Sequence, residues 1–246
     1  MNLDGATVLV TGASSGIGAA TAELLARRGA KALLVGRDTD ALTALAQRTG
    51  GRFLAADLAR SDTVPAIVDW AGEVDVLVCN AGVGFAGSLA DMPEHSVDEL
   101  VTVNLTAHLR LTRLLLPAML TRGRGQLAFV SSIAGCLGVA DEAVYSATKS
   151  GLRTFADSVR LAVAGSGVGV SVLVPGVVDT PFFDRRGRPY DRSRPRPVPA
   201  TKAAAVLVAA IERNRPEVFI PAWLRFPARL HGAAPALVQA LERRFG

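Results

Sequence analysis

Cysteine is scarce in this chain of 246 residues: Cys79 and Cys136 are the only two, too few for a disulfide framework. Such scarcity points to a reducing compartment. No Cys/His spacing of the zinc-binding kind occurs, so no metal site is expected. No uninterrupted apolar run approaches the roughly 18 residues that a membrane span requires. The nearest, at 114–120, contains Pro117 and is flanked by arginines. The N-terminus enters an apolar strand without a basic segment and a cleavable apolar stretch, so the expected location is cytoplasmic. Internal repeats and low-complexity linkers are lacking too, which leaves one domain across 1–246.

Lysine is also rare, three residues against 24 arginines, and the charge is uneven. Residues 1–150 hold 12 basic and 15 acidic side chains, whereas 151–246 hold 15 and 7. Six arginines, Arg185, Arg186, Arg188, Arg192, Arg194 and Arg196, fall among Pro189, Pro195 and Pro197. Aromatic residues interleave with them only at Tyr190, and the whole chain favours arginine, so no nucleic-acid partner is expected.

Half of the residues are hydrophobic, enough for a large core, and they fall into short β-rich runs alternating with helical lengths. Strands are predicted at 6–11, 32–36, 52–55, 74–79, 126–131, 169–174 and 218–220. Helices are predicted at 16–28, 39–47, 62–71, 97–121, 144–164 and 201–213. Several strands are apolar almost throughout, as expected when both faces are covered. The prediction is an α/β, Rossmann-like doubly wound fold, a seven-stranded parallel sheet flanked by helices. Residues 176–199, rich in Pro, Arg and Gly, exceed an ordinary connection and read as a substrate loop or lid. The tail 221–246 carries Trp223, Leu224, Phe226, Leu230, Leu237 and Leu241 among Arg225, Arg229, Arg243 and Arg244, a basic amphipathic pattern. It reads as a helix on the body of the protein or on a partner subunit, with peripheral membrane contact as the alternative.

Tyr145 and Lys149 stand four apart in Tyr-Ser-Ala-Thr-Lys, thirteen residues after Ser132. Residues i and i+4 share a helix face, so an ammonium beside a phenol would favour its ionised form. Bringing a tyrosine from about 10 toward 7 takes about 4 kcal/mol, within reach of one close cation in a partly dry cleft. At the other end of the chain, the first strand runs into Thr11-Gly12-Ala13-Ser14-Ser15-Gly16-Ile17-Gly18 and then a helix. A glycine-rich strand-to-helix turn brings backbone close to a pyrophosphate and aims a helix N-terminus at it. About twenty residues on, where an NAD site carries an acidic residue for the ribose hydroxyl, stands Arg37. A guanidinium there suits the 2′-phosphate of NADP. Asp38 follows immediately and would alternatively hold Arg37 while capping the next helix.

From its first strand to about Ile220 the chain resembles the short-chain dehydrogenase/reductase family. The resemblance rests on Thr11-Gly12-x-x-x-Gly16-x-Gly18, Asp57-Leu58, Asn80-Ala81-Gly82, Asn104, Ser131-Ser132, Tyr145-x-x-x-Lys149, and Pro175-Gly176 with Thr180, in that order. It implies that Tyr145 is the general acid or base, that Lys149 holds the nicotinamide ribose and lowers the Tyr145 pKa, that Ser132 orients the substrate oxygen, and that Asn104 anchors a water behind Lys149. Gly12, Ser14, Ser15, Gly16, Ile17, Gly18 and Arg37 would hold the phosphates, Asp57 and Leu58 the adenine, and Asn80, Ala81 and Gly82 would stiffen the sheet beside the cofactor. Pro175, Gly176, Val178 and Thr180 would sit at the nicotinamide, with Thr180 on its carboxamide.

The implied activity is NADP-dependent interconversion of a ketone or aldehyde with an alcohol, NAD being the less favoured cofactor. The implied assembly is a homo-oligomer, a dimer or tetramer. Ile220-Pro221-Ala222-Trp223 stands where ketoacyl-carrier-protein reductases have a glycine-rich strand that closes a tetramer, which points instead to lipid-like or bulky apolar carbonyls. A catalytically idle dinucleotide sensor or scaffold with a partner- or membrane-binding tail is the alternative. His95 and His108 lie off the family positions and read as solvent-facing or packed. Cys136 reads as a packing residue or a pocket lining, and Asp141 and Glu142 as polarity at the pocket mouth.

Overall fold

The computed structural model describes residues 1–191 and 194–234; Arg192 of the arginine cluster and Leu237, Leu241, Arg243 and Arg244 of the tail lie outside them. Along the chain run β1 (Thr7–Thr11), α1 (Gly16–Arg27), β2 (Lys31–Gly36), α2 (Thr39–Thr49), β3 (Arg52–Ala55), α3 (Thr63–Ala71) and β4 (Val76–Cys79). They are followed by α4 (Glu94–Val101), α5 (Ala107–Arg122), β5 (Gly125–Val130), α6 (Ala143–Ala162) and β6 (Val168–Pro175). After these come β7 (Val178–Asp179), α7 (Phe182–Arg185), β8 (Val198–Pro199), α8 (Ala200–Glu212), β9 (Glu217–Ile220) and α9 (Arg225–Ala233).

Seven strands form one sheet in the order β3-β2-β1-β4-β5-β6-β9. Every pairing in it is parallel. The predicted doubly wound architecture is therefore the observed one. Its cause is visible in β4, β5 and β6, which are buried at every position because helices cover both faces. On one face Val8, Val10, Val76 and Val78 pack with Leu25 of α1, Leu45 of α2 and Leu207 of α8. On the other, Leu9, Leu77 and Phe129 pack with Ile67 of α3, Leu111 of α5 and Leu152 of α6. Burying each such side chain stabilises the fold by about 1.5–3 kcal/mol. Strand order reverses between β1 and β4, and the crevice outside their carboxyl ends is where an open α/β sheet binds its ligand.

The structure departs from the sequence reading in the single helix predicted at 97–121. The helical segment starts earlier, at Glu94 behind the N-cap Pro93, and a π-helical turn at Thr102–Thr106 divides α4 from α5. Asn104 occupies that turn, and its carboxamide is drawn out of the helix row by two bonds with the backbone of Val83. A second refinement concerns the long connection after β6. Its ends are tied by β7 and β8, with Val178 paired to Val198 and Asp179 to Pro199. In the tail, Leu224 is buried, whereas Trp223, Phe226 and Leu230 are exposed beside Arg225 and Arg229.

Candidate active site

A cleft of about 1000 Å³ opens at the carboxyl ends of the strands, large enough for a dinucleotide and a substrate together. One end is formed by the turn between β1 and α1. Ser15 is the N-cap residue of α1, and its side chain makes no capping bond, so the first-turn N–H groups face the cleft. Thr11 anchors the turn from below: its hydroxyl donates to Val78 O and accepts from Asn80 N and Ala81 N, at 3.2, 3.0 and 3.1 Å. The Asn80 side chain returns the contact, donating to Thr11 O at 2.9 Å and Gly12 O at 3.1 Å. Two strand ends are thus stitched into one rigid floor.

The second end gathers Ser132, Tyr145 and Lys149, which β5 and α6 bring together within the cleft lining. Ser132 stands just beyond β5, where its hydroxyl accepts from Ala134 N and bonds Tyr145. Lys149 is 3 % exposed and donates to Val130 O at 3.1 Å. Its Nζ lies 5.7 Å from the centroid of the Tyr145 ring. Ser131 fixes α6 from the strand side by donating to Lys149 O at 2.9 Å.

Burial decides the protonation of this group. It pushes the Tyr145 phenol up from its ordinary 10, an effect that the Ser132 bond only partly offsets. Burial also lowers Lys149 from 10.5 to about 8. The expected depression of the phenol by Lys149 is therefore absent from the protein's own field. Desolvation outweighs a cation that is itself bonded to a carbonyl.

Nearly all residues singled out in the sequence line this one cleft: the glycine turn from Gly12 to Ile17, Arg37, Asp57, Leu58, Asn80, Ala81, Gly82, Pro175, Gly176, Val178 and Thr180. Gly18 and Asn104 stand behind its wall. Asn104 is fully buried; its Oδ1 accepts from Val83 N at 2.8 Å, and its Nδ2 donates to Val83 O and Thr148 Oγ1. A β-carbon placed at Gly82 would lie 3.3 Å from both Asn104 Oδ1 and Lys149 Nζ. The loop, the π-turn amide and the ammonium therefore meet at one point. Asp38 takes up its capping role, accepting from Ala41 N at 3.0 Å, and Arg37 pairs instead with Glu99 of α4.

Two sets of contacts were not read from the sequence. The first lies in the connection after β6. From α7 and the residues after it, Arg185 donates to Ser15, Arg186 pairs with Glu142, and Arg188 pairs with Asp141. Phe182 lies against Tyr145 with ring centroids 5.4 Å apart, and Phe183 and Tyr190 continue the aromatic wall. The signal was Phe182-Phe183 followed closely by Arg185, Arg186 and Arg188, with the acidic pair Asp141-Glu142 elsewhere in the chain to receive them. Cys136 packs against the core and is not part of the cleft lining.

The second set belongs to His108, buried on α5 while His95 is exposed. Its Nε2 donates to Ala81 O at 3.0 Å, so it supports the floor of the cleft from beneath. Burial, with the Lys149 charge, lowers it from 6.5 to about 3. The folded state therefore refuses a proton that the unfolded chain accepts, and stability is lost as pH falls from about 6.5 toward 3. Between pH 7.5 and pH 5 this group costs about 2 kcal/mol. Urea denaturation at both pH values should show that extra loss in the wild type and not in His108→Gln; equal losses in the two proteins would refute the assignment.

A family model described as short chain dehydrogenase matches residues 6–191. The ketoacyl reductase HetN of Nostoc sp. is 38% identical over 185 residues, which cover 72% of this chain and 64% of the relative, just under two thirds of its length. A short-chain dehydrogenase from Sphingobium yanoikuyae, solved in complex with NADPH, superposes with a TM-score of 0.84 at 30% identity, covering 95% of each chain. A short-chain dehydrogenase/reductase from Burkholderia phymatum, solved with NAD, superposes with a TM-score of 0.86 at 25% identity over 96% of each chain.

Proposed function

The chain belongs to the short-chain dehydrogenase/reductase family, and from that premise we propose that it is an NADP-dependent enzyme interconverting a ketone or aldehyde with an alcohol. The observation that carries this reading is the convergence of Ser132, Tyr145 and Lys149 in the cleft whose other end is the glycine turn. The donor set there fits a nicotinamide dinucleotide: uncapped N–H groups of α1 for the pyrophosphate, Arg37 at the ribose position, and Thr180 beside the turn. When bound, that cofactor supplies or accepts the hydride.

The chain's own residues handle the proton. Tyr145 donates it from Oη to the carbonyl oxygen in reduction and removes it from the alcohol in oxidation. Ser132 would hold the same oxygen, and Lys149 would hold the cofactor's ribose. Asn104, with both carboxamide atoms engaged, keeps the loop after β4 in place behind Lys149. A phenol held protonated by burial carries at neutral pH the proton that reduction consumes. The wall of Phe182, Phe183 and Tyr190 favours a bulky apolar carbonyl compound. An idle dinucleotide sensor is the weaker reading, because it gives no reason for the three polar groups to converge.

The cofactor choice has a direct test. Calorimetric titration of the wild type should give a lower Kd for NADPH than for NADH, and Arg37→Gln should remove most of that preference, about tenfold, the scale of a charge-assisted bond. NADH binding as tightly as NADPH in the wild type would overturn the Arg37 argument.

A further inference from the structure

The ribose end of the cleft does not present a bare cation. Arg37 follows β2, and Nη1 of its guanidinium stands 3.7 Å from Oε1 of Glu99 on α4. Both residues line the cleft, and both side chains are partly exposed, 55% for Arg37 and 40% for Glu99. At 3.7 Å the contact is an ion pair beyond hydrogen-bond reach, so it biases the guanidinium without locking it. The other acidic candidate, Asp38, is spent on the N-terminus of α2. Glu99 is therefore the carboxylate that Arg37 faces.

We propose that Glu99 is a specificity-determining residue: it restrains Arg37 and so sets how strongly this site discriminates between a phosphorylated and an unphosphorylated dinucleotide. This rests on the NADP reading of Arg37 given above. A phosphate monoester carries about −1.5 to −2 charges near pH 7. To engage the guanidinium it competes with the Glu99 carboxylate, which stays close by. A ribose hydroxyl carries no charge and is indifferent to that competition. Glu99 thus lowers affinity for the phosphorylated cofactor while leaving the other nearly unchanged, and the chain holds its NADP preference below what Arg37 alone would give.

The test is a double-mutant cycle on the full chain, with NADPH and NADH as the two probes and Kd read by calorimetry. Glu99→Gln keeps the side-chain volume and removes the charge at a partly exposed position. It should raise the NADPH/NADH affinity ratio about fivefold, the scale of one exposed charge pair. In the Arg37→Gln background the same substitution should raise the ratio less than twofold, because no guanidinium is left to compete for. An unchanged ratio in Glu99→Gln would overturn the proposal, as would an equal gain in both backgrounds. Failure of the cofactor reading looks different: it appears in the wild type alone, as NADH binding no more weakly than NADPH.

Discussion

Tyr145→Phe should lower kcat for carbonyl reduction by about a thousandfold while the NADPH Kd changes less than threefold. General acid catalysis by a positioned side chain is worth about 10²–10⁴, and this substitution removes that hydroxyl and nothing else. The ring is buried and packed on Phe182, a contact that phenylalanine keeps. Ser132 keeps its bond from Ala134 N, so the substrate-side hydroxyl stays in place. The measurement is NADPH oxidation against whichever apolar ketone the wild type reduces fastest, with Kd measured in parallel. A loss below tenfold would mean that another group delivers the proton. A pH series adds a second readout. Reduction by the wild type should persist well into alkaline pH, because burial holds the phenol above its ordinary 10. Oxidation should quicken as pH rises.

The second large effect is expected at Gly18, which never touches the cleft. A β-carbon there would fall 2.2 Å from Gly12 O and 2.4 Å from Asn80 Nδ2. Neither neighbour can yield. Gly12 O is backbone of the phosphate turn, and the Asn80 amide is tied to Thr11 O and Gly12 O. Gly18→Ala must therefore push α1 away from the turn, at a cost of about 1–3 kcal/mol, the range for an overpacked site. Because the pushed helix carries the N–H groups that face the cleft, dinucleotide affinity should fall at least a hundredfold, on the order of two lost charge-assisted bonds. Calorimetry and thermal melts separate the two effects. A variant with a lowered Tm and normal Kd would show that the helix end is not a ligand of the cofactor.

What the sequence made legible was whatever depends on neighbours along the chain. Fully apolar strands such as 74–79 announced a sheet covered on both faces, and the glycine turn could be placed because a strand precedes it and a helix follows. The Tyr145/Lys149 pairing on one helix was equally local. The illegible part depends on partners far away in the chain. Within the π-turn at 102–106 Asn104 bonds the backbone of Val83, and the connection after β6 is tied back by Arg186 with Glu142 and Arg188 with Asp141. His108, read as solvent-facing or packed, is packed, and only the fold shows that α5 places it under Ala81. The pKa of Tyr145 ran against expectation for the same reason. Spacing shows that a cation is close, while desolvation is set by the surrounding fold.

The short ladder between β7 and β8 has a consequence for how such a protein can change over generations. Because Val178 and Asp179 are pinned to Val198 and Pro199, the eighteen residues at 180–197 leave and rejoin the body at one fixed doorway. Lengthening a loop with fixed ends is cheap, about 0.6 kcal/mol for each doubling. The length and sequence of this segment can therefore change while the sheet below keeps its pairing.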